Sequence, residues 1–274
     1  MGSGADVIVI TGAGGMGAAV ARRIGSGSTV LLADADEQVL GREVAGLAAL
    51  GHDVVGQVVD VSDQASVEAL AATAADRGPV AVVVHTAGLS PVQATVDAIL
   101  RVDLLGTALV LDAFGAVISP GGAGVFVASM AGTMATLDPG FERRLATTAP
   151  GDLLALAELA PGAVPDPATA YVVAKRANQL RVRAASLAWG RRGARVNSVS
   201  PGVIATPMGA AELEGPNGPV MRALLDGSGM GRIGTPEDIA GVVEFLVGRT
   251  AGYVTGTDVL VDGGVVASLL APPA

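Results

Sequence analysis

The sequence predicts an α/β fold, a doubly wound parallel sheet of about seven strands with helices on both faces. Three observations predict it. Short runs of Val, Ile and Leu, apolar on both faces, recur between Ala-rich stretches of helical character. The connections between them are short, as right-handed crossovers require. A glycine-rich loop ends the first apolar run and opens the first helix. The 274 residues allow one large domain or two small ones, and the unbroken alternation makes it a single domain, 1–274.

Composition narrows the function classes. Half of the residues are apolar but only 3% are aromatic, so the core is built from Ala, Val, Leu and Ile. A formal charge of -9 argues against nucleic acid or an anionic membrane as partner. Cysteine is absent, which excludes disulfides, thiolate zinc sites and cysteine nucleophiles. His52 and His85 are too few for a histidine-rich metal site, and no metal is expected. No apolar run is long enough for an ordinary membrane span. The opening Met-Gly-Ser-Gly-Ala-Asp lacks the basic region and cleavage site of a signal peptide, so a cytoplasmic location is expected. Ala271–Ala274 reads as a frayed end.

Val7–Ile10 is the first buried strand. It runs into Thr11-Gly12-Ala13-Gly14-Gly15-Met16-Gly17 and then helical sequence to Ile24. Gly12, Gly14 and Gly17 fill the slots of a dinucleotide fingerprint, where missing Cβ atoms permit a sharp turn, pyrophosphate approach and close helix–strand packing. The helix start offers free N–H groups to phosphates. The second strand, Thr29–Ala33, ends at Asp34, placed to hydrogen-bond an adenosine ribose 2′-hydroxyl. A carboxylate there repels a 2′-phosphate, which favours NAD over NADP. Helix Asp36–Leu50, strand Asp53–Val59, helix Gln64–Arg77 and strand Val80–Val84 continue the alternation. Ligands bind beyond the carboxyl ends of such strands, so Gly12, Asp34, Asp60 and Ala87-Gly88 share one rim. Asp60 reads either as an adenine contact or as a cap for the helix after Ser62-Asp63. His85 reads either as a satisfied core histidine or as a residue that touches the cofactor.

The second half begins with a long helix, Val96–Val117, carrying Asp103 and leaving through Gly121-Gly122. Strand Val125–Ala128 delivers Ser129 to the rim. Tyr171 and Lys175 then stand four apart on a helix running to Trp189, hence on one face, one turn apart. An ammonium beside a phenol favours the phenolate. At ~4.5 Å and an effective dielectric of ~20 it contributes roughly 3–4 kcal/mol, and a second cation completes a base usable at neutral pH. Strand Arg195–Val199, helix Pro236–Val247 and strand Asp258–Val261 complete the pattern.

These residues resemble the short-chain dehydrogenase/reductase family in its single-domain, Rossmann-like form. The matching positions are Gly12, Gly15, Gly17, Asp34, Asp60-Val61, Ala87-Gly88, Ser129, Tyr171, Lys175, Arg195-Val196-Asn197, Pro201-Gly202, Thr206, Arg232–Asp238 and Asp262-Gly263-Gly264, in family order. The resemblance implies NAD as cofactor and Tyr171 as general acid/base at a carbinol or carbonyl oxygen. It implies Ser129 as hydrogen-bond donor to that oxygen, and Lys175 as the group that lowers the Tyr171 pKa and binds the nicotinamide ribose. The oxidised nicotinamide is the second cation. Gly14, Gly15 and Met16 belong to the cofactor-binding loop; Pro201, Gly202, Val203 and Thr206 flank the nicotinamide. The partners implied are a small alcohol or ketone and further copies of the chain, as a homodimer or homotetramer.

Four departures stand out. The glycine loop is one residue shorter than usual. His85-Thr86 replace two asparagines, which puts a contact steadying the central strand in doubt. Asp103 stands where an asparagine usually completes a proton relay to Lys175, or serves only to stabilise its helix. The span from Ser129 to Tyr171 is too long, which identifies a helical insertion at about 133–168, with helices Pro139–Thr147 and Asp152–Leu159. This feature resembles the 3α-hydroxysteroid dehydrogenase/carbonyl reductase branch. Its apolar residues, among them Met134, Leu137, Phe141, Leu145 and Leu153, either line an apolar substrate mouth or pack the insertion onto the body. Residues 206–230, broken by Gly and Pro, are expected to form a flexible substrate loop.

The function expected is interconversion of a secondary alcohol and a ketone on an apolar alicyclic or hydroxysteroid-like substrate. The alternative is a non-catalytic NAD-sensing or scaffold protein of the same fold.

Overall fold

The structure is a computed structural model and describes residues 5 to 270; the expectation for 271–274 lies outside them. Seven parallel strands form one sheet: β1 (Val7–Thr11), β2 (Thr29–Asp34), β3 (Asp53–Val58), β4 (Val80–His85), β5 (Ile118–Val127), β6 (Arg195–Pro201) and β7 (Asp258–Val261). Their spatial order is β3-β2-β1-β4-β5-β6-β7, so the topology reverses between β1 and β4. A crevice opens at such a switch point beyond the strand ends. The helices are α1 (Gly15–Ile24), α2 (Glu37–Ala49), α3 (Gln64–Arg77), α4 (Val96–Ile99), α5 (Thr107–Val117), α6 (Met130–Thr133), α7 (Pro139–Thr147), α8 (Pro150–Leu153), α9 (Pro167–Arg191), α10 (Pro207–Glu214), α11 (Gly218–Asp226), α12 (Pro236–Val247) and α13 (Val265–Leu270).

The all-apolar strands are buried on both faces because each face packs its own helix layer. Val67 and Leu70 of α3, Leu111 and Phe114 of α5, and Val182 and Trp189 of α9 cover one face. Val20 of α1, Leu40 and Leu47 of α2, and Ile239 and Val243 of α12 cover the other. The chain thus forms one doubly wound domain, as its alternation of elements requires. Among the described residues no helix is long and apolar enough to cross a membrane, and no group of three or more His, Asp or Glu could hold a metal ion.

Four elements differ from the sequence reading. The expected helix Val96–Val117 is interrupted by a π-helical turn, Leu100–Gly106, which carries Asp103. Strand β5 starts earlier than expected, because Gly121-Gly122 lie in an irregular stretch of the strand rather than before it; regular pairing with β6 begins at Ala123. The helix expected at Asp152–Leu159 is instead α8 and a separate 3-10 turn, Ala157–Leu159. At helical spacing Leu153, Leu154, Leu156 and Leu159 would spread over more than half the circumference, and a break lets all four turn inward. The expected loop at 206–230 folds as α10 and α11, with its Pro and Gly residues at helix boundaries.

The insertion packs inward. Phe141, Leu145, Leu153 and Leu159 are buried against Ala170, Val173 and Ala177 of α9, with Leu137 partly buried beside them, so these residues pack the insertion onto the body, whereas Met134 stays exposed. Arg181 of α9 donates to the carbonyls of Leu145 and Thr148, and Arg176 pairs with Glu142 at 2.6 Å. The helix that carries Tyr171 is therefore held from outside as well as from the sheet.

Candidate active site

Strand β5 ends at Val127, and Ser129 follows as the N-cap of α6, its Oγ accepting from the Ala131 N–H. Helix α9 begins with Asp166 as N-cap and Pro167 at its first turn, and brings Tyr171 and Lys175 to the same rim. Ser129, Tyr171 and Lys175 line one cavity together with Pro201, Gly202 and Thr206. The Lys175 ammonium sits 5.3 Å from the centre of the Tyr171 ring.

Behind this pair lies Asp103, fully buried on the π-helical turn. Its Oδ1 accepts from the Leu89 N–H at 2.7 Å, and its Oδ2 lies 3.4 Å from Lys175 Nζ. Gly88 makes room for this: a Cβ there would stand 3.2 Å from Nζ and 3.4 Å from the carboxylate. Asp103 therefore does more than stabilise its own helix. It is the counter-ion of Lys175 and ties the end of β4 to the catalytic helix.

Burial opposes the charge on Lys175, but Asp103 and Tyr171 together hold its pKa above the ordinary lysine value. Burial pushes the Asp103 carboxyl up, against the pull of Lys175 and the Leu89 N–H. Tyr171 corrects the sequence reading. Burial raises its pKa and outweighs the lowering by Lys175, with Asp103 and Glu212 adding to the rise and Ser129 opposing it. The neighbouring ammonium cannot overcome desolvation because Asp103 compensates much of its charge.

His85 is a satisfied core histidine. Its ring nitrogens meet Thr11 Oγ1 at 2.7 Å and Thr107 Oγ1 at 3.1 Å, and burial lowers its pKa to about 3. Thr86 Oγ1 donates to the carbonyls of Thr11 and Gly12. The steadying contact placed in doubt by the departure at 85–86 is thus supplied by different atoms.

A second cavity, about 500 Å³, adjoins the first and shares Met16, Thr86, Gly88, Leu89, Thr206 and Met208 with it. It runs past Gly12, Gly14, Gly15 and Ala87 to Asp34, Asp60 and Val61. The glycine loop suits an extended anionic ligand. Gly12 has φ +90, and a Cβ on it would stand 2.6 Å from the Ala87 nitrogen. A Cβ on Gly17 would overlap the Gly12 carbonyl, so helix α1 packs against the turn only as glycine. A Cβ on Gly14 would meet only Val39 Cγ1, at 4.0 Å, so packing does not demand glycine at this position of the groove. Asp34 accepts from the Ala13 N–H at 2.7 Å and the Asp36 N–H at 2.9 Å. Asp60 accepts from Ser62 and lines the groove, but Asp63 is the N-cap of α3, so the cap reading of Asp60 is overturned and its place in the groove remains. Val203 does not line the catalytic cavity; it is buried beside Met130 and Leu225, and Ile204 faces the cavity instead. These residues fit a dinucleotide, with Asp34 and Asp60 at one end and Lys175 at the other.

Residues 6–138 match the family model described as short chain dehydrogenase, and residues 141–266 match the one described as Enoyl-(Acyl carrier protein) reductase. The short-chain dehydrogenase/reductase bsc3 of Alternaria brassicicola is 43% identical over 96% of this chain and 97% of its own. The chain belongs to the short-chain dehydrogenase/reductase family. The family is one of oxidoreductases that bind a nicotinamide cofactor. Galactitol 2-dehydrogenase (L-tagatose-forming) of Cereibacter sphaeroides is 32% identical over 93% of this chain and 92% of its own. The 3-alpha-hydroxysteroid dehydrogenase/carbonyl reductase of Comamonas testosteroni is 29% identical over 80% and 89%. Among solved structures, a blue fluorescent protein from a metagenomic library, in complex with NADPH, superposes with a TM-score of 0.75 at 25% identity, covering 95% of this chain and 97% of that one.

Among the charged residues of this family member's cleft, sequence reasoning missed three. Glu212 lines the catalytic cavity, and Arg42 and Glu43 line the groove beside Asp34. Helical spacing signals the last two, since they lie one turn past Val39 on α2. Nothing local signals Glu212, because its approach depends on how α10 folds back over the sheet.

Proposed function

We propose that this short-chain dehydrogenase/reductase uses NAD to interconvert a secondary alcohol and a ketone, with Tyr171 as general acid/base. The convergence of Ser129, Tyr171 and Lys175 on one cavity, continuous with the groove that ends at Asp34, carries this reading. In oxidation the alcohol loses a hydride from carbon and a proton from oxygen, giving ketone, NADH and one proton. The bound dinucleotide supplies the two-electron acceptor. Tyr171 takes the hydroxyl proton, and the Ser129 hydroxyl donates to the same oxygen as charge develops on it. Lys175 favours the phenolate, and Asp103 fixes the ammonium in place. In reduction each transfer runs backwards.

The sequence expectation of an apolar, alicyclic or hydroxysteroid-like substrate keeps support from the cavity wall, where Met16, Leu89, Val127, Ile204 and Met208 are apolar. Most apolar residues of the insertion give it none, because they pack against α9; Met134 is the exposed exception. The Asp34 carboxylate in the groove supports NAD over NADP. The family habit of self-association supports a homodimer or homotetramer.

The test is hydride transfer. With deuterated NADH and a panel of cyclic and steroidal ketones, deuterium is expected at the carbinol carbon of at least one product, and Tyr171→Phe removes it. A protein that binds NADH tightly yet transfers deuterium to nothing would instead be the NAD-sensing scaffold.

A further inference from the structure

One charged group in the catalytic cavity has no part in the chemistry above. Glu212 lies near the end of α10, half-buried, and lines the cavity with Ser129, Tyr171 and Lys175. Its Oε1 accepts from Ser90 Oγ at 2.8 Å, and Ser90 is fully buried. Among the described residues nothing donates a hydrogen bond to its Oε2. Burial pushes its carboxyl up, against the Ser90 hydroxyl and the more distant Lys175 ammonium. The nearest cation is already committed, since Lys175 is the ion-pair partner of Asp103.

We propose that Glu212 is a specificity-determining residue that accepts a hydrogen bond from a second hydroxyl of the substrate. The proposal rests on the alcohol–ketone reading above and names the substrate class within it: a compact, largely apolar alcohol bearing a further hydroxyl. A partly buried carboxylate with one oxygen unpaired carries a desolvation cost that a substrate donor relieves. The donor in this proposal is a neutral hydroxyl, the group that the alcohol–ketone reading already requires of the substrate and that Ser129 and Tyr171 in the same cavity are placed to meet. Ser90 fixes Oε1 and so aims the free oxygen. A site built to bind a hydroxyl discriminates against the analogue lacking it, since the analogue leaves the acceptor unpaired.

The experiment compares cyclohexanol with the cis and trans forms of 1,2-, 1,3- and 1,4-cyclohexanediol, using the full chain with saturating NAD. At least one diol is expected to exceed cyclohexanol by about 10–100-fold in kcat/KM, the range for a hydrogen bond to a charged group. In Glu212→Leu that ratio falls to about 3 or less, whatever the absolute rates. Glu212→Gln, which keeps shape and one acceptor, gives an intermediate ratio and covers the case in which the Leu variant does not fold. Ser90→Ala removes the aiming contact but keeps the carboxylate, so it retains a preference for the diol. No diol preference in the wild type, an undiminished preference in both Glu212 variants, or a stronger preference for 2-aminocyclohexanol would each overturn the proposal. So would Ser90→Ala abolishing the preference as fully as Glu212→Leu, which would make Glu212 a contact that only holds α10 in place. A wild type that oxidises neither cyclohexanol nor any diol, and transfers no deuterium to the ketone panel, fails the parent reading instead.

Discussion

The two ends of the cleft are built on different principles. At the dinucleotide end the ligand-facing groups are backbone and partly exposed carboxylates, held by neighbours close in sequence. Asp34 accepts from Asp36, Asp60 accepts from Ser62, and the turn depends on the left-handed Gly12. At the catalytic end the groups are buried charges held by partners far away in the chain. Lys175 meets Asp103, Asp103 meets Leu89, and Glu212 meets Ser90. Local geometry tolerates substitution because water and neighbouring amides can substitute for a lost contact. Buried charge does not, because each member leaves its partner uncompensated. Sensitivity to mutation should therefore rise steeply from Asp34 towards Tyr171.

The largest effect tests the catalytic end directly. Tyr171→Phe removes the proposed proton acceptor while keeping the ring, and a loss of about 10²–10⁴-fold in kcat is expected, with NADH affinity unchanged in a fluorescence titration. Lys175→Met sharpens the same point through pH. Alcohol oxidation needs the phenolate, so its rate rises as pH climbs towards the Tyr171 pKa. Lys175 lowers that pKa against burial. Its removal moves the rise in kcat/KM to higher pH, and an unmoved profile would detach Lys175 from the proton transfer.

Asp103 gives the next largest effect. Asp103→Ala leaves a buried ammonium unpaired and the Leu89 N–H without its acceptor, at a cost of about 3–5 kcal/mol by urea unfolding. Asp103→Asn keeps an acceptor for Leu89 and loses less. The loss shrinks with rising pH. Lys175 has a raised folded pKa, so the stability it draws from its partner is full below the unfolded lysine pKa and disappears as pH passes above the folded one. Equal losses in both variants would mean that the Leu89 contact adds nothing to the ion pair, and losses that do not change with pH would mean that the ion pair itself contributes nothing.

The same division explains what could be read from the chain. The fold was legible because strands buried on both faces leave continuous apolar runs, and helices Gln64–Arg77 and Pro236–Val247 have the bounds that their caps predict. The dinucleotide end was legible because Gly12, Gly14, Gly17 and Asp34 act at fixed short spacings. Tyr171 and Lys175 were legible as an i, i+4 pair. The sign of the Tyr171 shift was not, because burial depends on the whole packed insertion and α9, and pairwise spacing reports only the ammonium. The π-turn at Asp103 escaped for the same reason: it fits the helix to Lys175 and Leu89, and neither lies on its own element. The Gly and Pro residues of 206–230 mark helix ends as well as breaks, and only tertiary contacts decide between the two.

His85 offers a third, smaller test, midway between the ends. Its folded pKa of about 3 lies below the ordinary 6.5, so between these values the unfolded chain binds a proton that the folded chain does not. Stability therefore falls as pH drops through that window, by roughly 1.4 kcal/mol per pH unit from this group. His85→Asn removes the proton site and should flatten the slope of urea-unfolding free energy between pH 6 and pH 4 relative to wild type. An unchanged slope would place the acid sensitivity in the carboxylates alone.

The smallest effect is expected at Asp34, where one oxygen already serves Ala13 and the other Asp36. Asp34→Asn keeps an acceptor for the backbone but loses the charge proposed to meet an adenosine ribose. A charge-assisted hydrogen bond to that ribose contributes about 1.5–3 kcal/mol when well formed. In this partly exposed position the KM for NAD should rise by about tenfold, towards the low end of that range. The KM for NADP should fall at the same time, because the repulsion is gone and Arg42 lines the same groove, its surface pairing with Glu43 at 3.2 Å being weak enough for a 2′-phosphate to displace. Steady-state kinetics with both dinucleotides measure the two changes separately. A wild type that already binds NADP more tightly than NAD would show that Arg42, rather than Asp34, governs this end of the cleft.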